Sequence, residues 1–123
     1  MSRRAGARRE KVLAEALERC EACGKQVRLA LRVECERKII AYSGDTEWTD
    51  ELVQAANGAD LFICEAYFYD KQIKYHLDYQ TLLAHRAELG CKQLIMTHMS
   101  EDMLARLESL ELEYAEDGKE VVL

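Results

Sequence analysis

At 123 residues, with 49% hydrophobic and 33% charged positions, the chain has the composition of one ordinary globular domain and is too short for two. A net charge of −6 disfavours broad electrostatic binding to nucleic acid, and no apolar run is long enough to span a bilayer, so neither a polyanion nor a membrane is the expected partner. Five cysteines, Cys20, Cys23, Cys35, Cys64 and Cys91, sit mostly in apolar runs and fit reduced core thiols better than a disulfide framework; no apolar segment follows the basic opening MSRRAGARREK, and the cytoplasm is the expected compartment.

In chain order, residues 4–22 carry Val12, Leu13, Ala16 and Leu17 at helical spacing among charges, which predicts an amphipathic helix closed near Gly24. VRLALRVE (27–34) alternates apolar and polar residues, and KIIAYS (38–43) reads as its hairpin partner. Thr49 is placed to cap a short helix, TDELVQAAN, that stops at Gly58. ADLFICEA (59–66) is a short continuous apolar run, the pattern of a strand covered on both faces. A polar and aromatic stretch, YFYDKQIKYHLD, leads into the helix YQTLLAHRAEL, ended by Gly90. CKQLIMTH (91–98) reads as another buried strand, Ser100 as the cap of a helix EDMLARLESL, and LEYAEDGKEVVL as a closing hairpin around Asp117 and Gly118. The predicted fold class is α/β.

The three central strands end on IIAYSGD, LFICE and QLIMTH. Strands joined by crossover helices run parallel, so their carboxyl ends share one edge of the sheet, where α/β proteins build sites. Asp45, Glu65 and His98 are therefore expected to converge, with Gly44 permitting the sharp turn that leaves Asp45 projecting. A carboxylate and an imidazole at such an edge suit zinc or a similar divalent ion, and an aspartate can bridge two metals in a hydrolytic site. Taken singly, each residue is more often a turn former, an ion-pair partner or a satisfied linker side chain.

The blocks SGDT (43–46), ICEAYF (63–68), YHLDYQTLLAHRAELG (75–90) and LIMTHMS (94–100) together resemble the C-terminal half of metallo-β-lactamase-fold hydrolases, in particular the ribonuclease Z-like branch, over residues 27 to about 103. The resemblance implies half of an αββα sandwich: a mixed sheet with helices on one face over residues 26–123, preceded by a non-matching helical segment at 1–25. It implies Asp45 as the aspartate bridging two divalent ions, zinc with manganese as the alternative, and His98 as the last histidine ligand. His76 corresponds to a histidine of proton transfer, with Glu65 orienting it. Cys64 stands where the family block has histidine, and Leu77 and Asp78 replace its Ser-Thr, which points to a sister hydrolase of a phosphodiester or small ester substrate. The His-x-His-x-Asp-His motif of the family's other half is absent from a chain whose three histidines are His76, His85 and His98. The resulting expectation is a truncated member with weak activity or none, prone to self-association through exposed sheet.

A non-catalytic α/β interaction module is the rival reading; it requires no metal and indifference to Asp45→Asn. Cys20 and Cys23 form a single CxxC pair, a poor zinc signal without a second pair. Tyr67, Phe68, Tyr69 and Tyr75 with Lys71 and Lys74 have the composition of a single-strand nucleic-acid grip, but a loop packed by its own aromatics is the simpler reading. His85 is expected to be merely solvated.

Overall fold

The computed structural model describes residues 11–15 and 30–123. Its centre is a five-stranded sheet whose spatial order follows the chain: β1 (Lys11–Glu15), β2 (Ala30–Cys35), β3 (Lys38–Tyr42), β4 (Leu61–Glu65) and β5 (Leu94–Thr97). The first three strands pair antiparallel, while β3 with β4 and β4 with β5 pair parallel. The β2–β3 hairpin turns through Glu36 and Arg37 at φ 51° and 71°. Two consecutive left-handed residues match the twist of a two-residue hairpin, here without glycine. The parallel strands are joined through helices α1 (Asp50–Ala56) and α2 (Tyr79–His85), as parallel pairing demands.

Register sorts the side chains onto two faces. Ala41 opposite Phe62, Phe62 opposite Leu94, and Cys64 opposite Met96 lie on one face, where they form the buried core with Leu52 and Ala56 of α1 and Leu82 of α2. On the face of opposite parity Val33, Ile40, Tyr42 and Ile63 are partly covered, while Leu61 and Ile95 are buried. Arg32 of β2 joins sheet to helix, donating from one nitrogen to the carbonyls of Ala55 at 2.8 Å and Asn57 at 2.7 Å. A guanidinium here satisfies carbonyls that the end of α1 leaves without helical partners.

Several local expectations change. Lys11–Glu15 is a strand rather than part of a helix: the free edge of β2 captures it, Val12 facing Val33, and sheet pairing overrides helical spacing. The rest of the predicted helix, with Cys20, Cys23 and Gly24, lies outside the described residues. Thr49 occupies the N-cap position of α1 without a side-chain cap bond; Asp50 and Glu51 in the first turn complement the helix dipole instead. The cap bonds form at α2, where Asp78 accepts from the Thr81 N–H at 2.9 Å and hydroxyl at 2.7 Å. That helix tightens to a 3₁₀ turn at Arg86–Glu88.

The helix predicted after Ser100 is cut to α3 (Glu101–Leu104) and a 3₁₀ turn at Leu107–Ser109, and the Ser100 hydroxyl makes no cap. Asp102 is drawn instead to the Tyr69 N–H at 2.9 Å, and Arg106 lies over the Tyr69 ring at 4.3 Å. No closing hairpin forms. Tyr114 makes one parallel bridge to Met96, through Met96 N–H to the Glu113 carbonyl and Ala115 N–H to the Met96 carbonyl, so the tail covers the edge of β5 rather than pairing with itself.

Candidate metal centre at the carboxyl edge of the sheet

The end of β3 is built around the end of β4. Buried Ser43 donates its N–H to the Ile63 carbonyl at 2.9 Å, and its hydroxyl accepts from the Glu65 N–H at 3.0 Å while donating to the Gly44 carbonyl at 2.8 Å. Gly44, at φ 69°, then turns the chain as only glycine does easily. The Thr46 N–H is thereby aimed at Glu65 Oε2, 3.3 Å away, and Asp45 is left projecting from the edge. The polar turn that ends an apolar strand is thus a cradle for the neighbouring carboxylate.

Glu65 is wholly buried. A carboxylate removed from water needs partners for both oxygens. Oε2 accepts from the N–H groups of Thr46 and Leu77, the latter at 3.0 Å. Oε1 lies 2.7 Å from His76 Nδ1 and 2.7 Å from His98 Nδ1. With Glu65 as acceptor, both imidazoles carry a proton on Nδ1 and leave Nε2 for chemistry. Asp45 Oδ1 adds a second carboxylate 3.2 Å from His98 Nδ1.

Two backbone features deliver the histidines. His98 follows β5 at φ 54°, and Tyr75, just before His76, has φ 69°. Left-handed backbone at residues other than glycine costs on the order of 1–3 kcal/mol and persists where the surroundings hold it. Around His76 they do, because the loop folds back on itself through Tyr67 N–H to the Leu77 carbonyl and Tyr79 N–H to the Phe68 carbonyl, each 2.8 Å. The Tyr67 ring lies 4.7 Å from the His76 ring, near parallel, and 5.0 Å from the His98 ring, so it packs against both imidazoles.

Asp45, Glu65, His76 and His98 each offer a ligand atom within 4.8 Å of the others. Oxygen and imidazole nitrogen donors are those that zinc and neighbouring divalent ions take, so the set fits such an ion. The local potential is negative: burial first, and then the charges of Asp45 and Glu65, raise the Tyr42 phenol above its ordinary pKa. Burial also pushes the Cys64 thiol up to about 12, which keeps it protonated and unsuited to ligation.

The three strand-end residues expected to converge do so, and His76 joins them from the loop. His85 stays apart and is more than solvated: its ring stacks on Trp48 at 4.0 Å and its Nδ1 lies 2.7 Å from Glu88. In the aromatic segment Lys71 lies over the Phe68 ring at 5.2 Å and Tyr67 packs edge-on against Phe68, while Tyr69 stacks on Tyr79 and Tyr75 is exposed. Sequence reasoning missed Ser43 and the two-sided packing of Tyr67. A usable signal was parity, since Tyr67 lies two residues beyond Glu65.

The family model for the beta-lactamase superfamily domain matches residues 16–99, a stretch that contains all four clustered residues. The chain belongs to this superfamily. Among its relatives, ribonuclease Z of Bacillus velezensis is 34% identical over 68 residues, 51% of this chain and 22% of that one. The metallo-beta-lactamase fold protein YhfI of Bacillus subtilis superposes with a TM-score of 0.65 at 18% identity, over 89% of this chain and 48% of YhfI. Zinc-bound PqqB of Methylobacterium extorquens gives a TM-score of 0.68 at 15% identity, over 93% of this chain and 47% of PqqB. The chain therefore spans about half of each of these solved relatives and about a fifth of the curated one, and its fold is one half of the αββα sandwich. No described helix is long and apolar enough to cross a membrane.

Proposed function

We propose that the chain carries one half of the active site of a metal-dependent hydrolase acting on a phosphodiester or ester, with Asp45 and His98 as ligands of a divalent ion, zinc before manganese, His76 as general acid or base, and Glu65 orienting it. The observation that supports this most is the single buried oxygen of Glu65, placed 2.7 Å from both imidazoles. The arrangement suits a proton-transfer histidine beside a ligand histidine, because the shared acceptor fixes both rings and both tautomers. Ribonuclease Z and a diphosphatase of the PhnP family, both named for phosphoryl chemistry, are among the similar proteins, and this weighs against a non-catalytic interaction module.

When bound, the ion would lower the pKa of a water molecule and polarise the bond under attack. The chain's own residues do the rest. Asp45 contributes charge at the edge of the site, His76 holds or gives a proton at Nε2, and Tyr67 packs both rings in place. Catalytic zinc normally takes three protein ligands, and Asp45 with His98 supplies two, so the chain alone turns over weakly or not at all. Self-association would use the sheet face on which Ile40 and Ile63 are partly covered. A reducing cytoplasmic setting accords with the buried free thiol of Cys64.

Zinc titration of the purified chain by calorimetry tests the assignment. Binding should weaken at least about tenfold in Asp45→Ala and in His98→Ala, the loss that follows removal of one ligand or its support. Unchanged affinity in both variants, or no zinc binding by the parent chain, overturns it.

A further inference from the structure

Beside His76, on the side of the loop and α2, lies a cavity of about 170 Å³ whose walls include Glu47, Trp48, Gln72, Ile73 and Thr81. We infer that this cavity is a subsite for a neutral, flat, amino-bearing ring carried by the substrate next to its scissile bond. Three observations carry the inference.

The first is place. His76 lines the cavity and also belongs to the metal cluster, so a group seated in the cavity lies next to the imidazole that handles the proton. The second is size. Pockets that take a whole drug-sized ligand run to about 300–1,000 Å³, so this one holds a single ring system, not an entire substrate.

The third is chemistry. Among the described residues no lysine or arginine lines the cavity, and two carboxylates do, Glu47 and Asp78, which turns away a phosphate. Asp78 is committed to capping α2. Glu47 accepts from the Tyr75 N–H at 3.3 Å through Oε2, which holds its carboxylate at the rim as an acceptor for ring amino groups. Trp48 and Ile73 provide apolar walls. The indole is fixed in advance, stacked on His85 at 4.0 Å, while His85 is held by Glu88. A preformed flat wall with acceptors at its rim suits an aminated aromatic ring.

That the ring belongs to a substrate rests on the hydrolase reading; ring binding itself does not. Trp48 is the chain's only tryptophan, so its fluorescence reports on this cavity directly. Adenosine titrated into the full chain should change that emission saturably, with and without EDTA, while uridine and inorganic phosphate should not. Glu47→Ala should weaken adenosine at least about tenfold, the scale of one hydrogen bond to a charged group. Ile73→Phe, which fills the cavity with a larger side chain while its carbonyl still accepts from the His76 N–H, should do the same, and zinc affinity should stay within about twofold in both. An emission unmoved by adenosine, moved equally by uridine or phosphate, or indifferent to both substitutions overturns the subsite. If adenosine binds while zinc does not, the subsite stands and the hydrolase reading falls.

Discussion

The two ends of β4 carry two carboxylates with opposite surroundings. Asp60, just before the strand, accepts from the Ile39 N–H at 2.9 Å and faces Lys92 at 3.1 Å, one oxygen to each. Glu65, five residues on, is wholly buried and faces two backbone N–H groups and two imidazoles. The first arrangement is complete: a permanent cation and a backbone donor at the surface leave nothing to titrate near neutrality. The second joins a carboxylate to two imidazoles, donor types that a divalent ion can take. The same strand thus carries a structural carboxylate at one end and the centre of the candidate site at the other, the carboxyl end where such sheets place their sites.

The comparison breaks most sharply at Glu65. Glu65→Ala leaves the Thr46 and Leu77 N–H groups and His76 Nδ1 without their acceptor and His98 Nδ1 with Asp45 alone, a loss of about 3–5 kcal/mol by the scale of broken buried pairs. Urea unfolding should show a fall of that order; a change below about 1 kcal/mol would mean that water replaces the carboxylate and that its burial is incidental. Glu65→Gln keeps the volume and one acceptor. It should spare most of the stability yet weaken zinc about 10–100-fold, as loss of an orienting partner does.

The two imidazoles that share Oε1 should then separate by function. His98→Ala should lose zinc, while His76→Ala should hold it within about threefold, since only a direct ligand is indispensable. Calorimetry on the pair decides. Equal losses would mean that both are ligands and that the proton-transfer role belongs elsewhere.

Much of this edge was legible in the sequence because strand ends are set by short-range signals. The apolar runs LFICE and LIMT, bounded by turn residues and joined through helical patterns, place Glu65 and His98 on one edge before any contact is known. Glu65's partners were less legible. Leu77 reaches it only because residues 67–69 pair with 77–80 across a loop, a non-local matter that no spacing rule encodes, and His76 entered the reading through family resemblance. The misread termini share one cause. Lys11–Glu15 and the stretch around Tyr114 are both held by strand edges far away in sequence, Glu34 to Ala30 for one and Met96 for the other, and those edges outweigh local pattern.

Between the two carboxylates, Cys64 gives a milder test. Burial has pushed its thiol up to about 12, so at pH 8 it should resist iodoacetamide in the folded chain and react fully in urea. Mass mapping of the alkylated peptides reads this directly. Labelling of Cys64 in the native protein would show that the strand opens often enough to question the burial of Glu65 as well.

The smallest effect belongs to Asp60 and has a definite sign. Its carboxyl is held below the ordinary 3.8, chiefly by the Ile39 N–H and then by Lys92. A depressed folded value means that the unfolded chain binds the proton first on acidification. The stabilisation is therefore fully present above the ordinary carboxylate range and is lost as pH falls through the folded value. Asp60→Asn should flatten the acid limb of the urea midpoint against pH, leaving the midpoint near pH 7 only slightly lower and zinc affinity untouched. A variant that loses zinc as well would join the two ends of β4 into one unit, and the distinction between a structural carboxylate and a site-building one would no longer describe this strand.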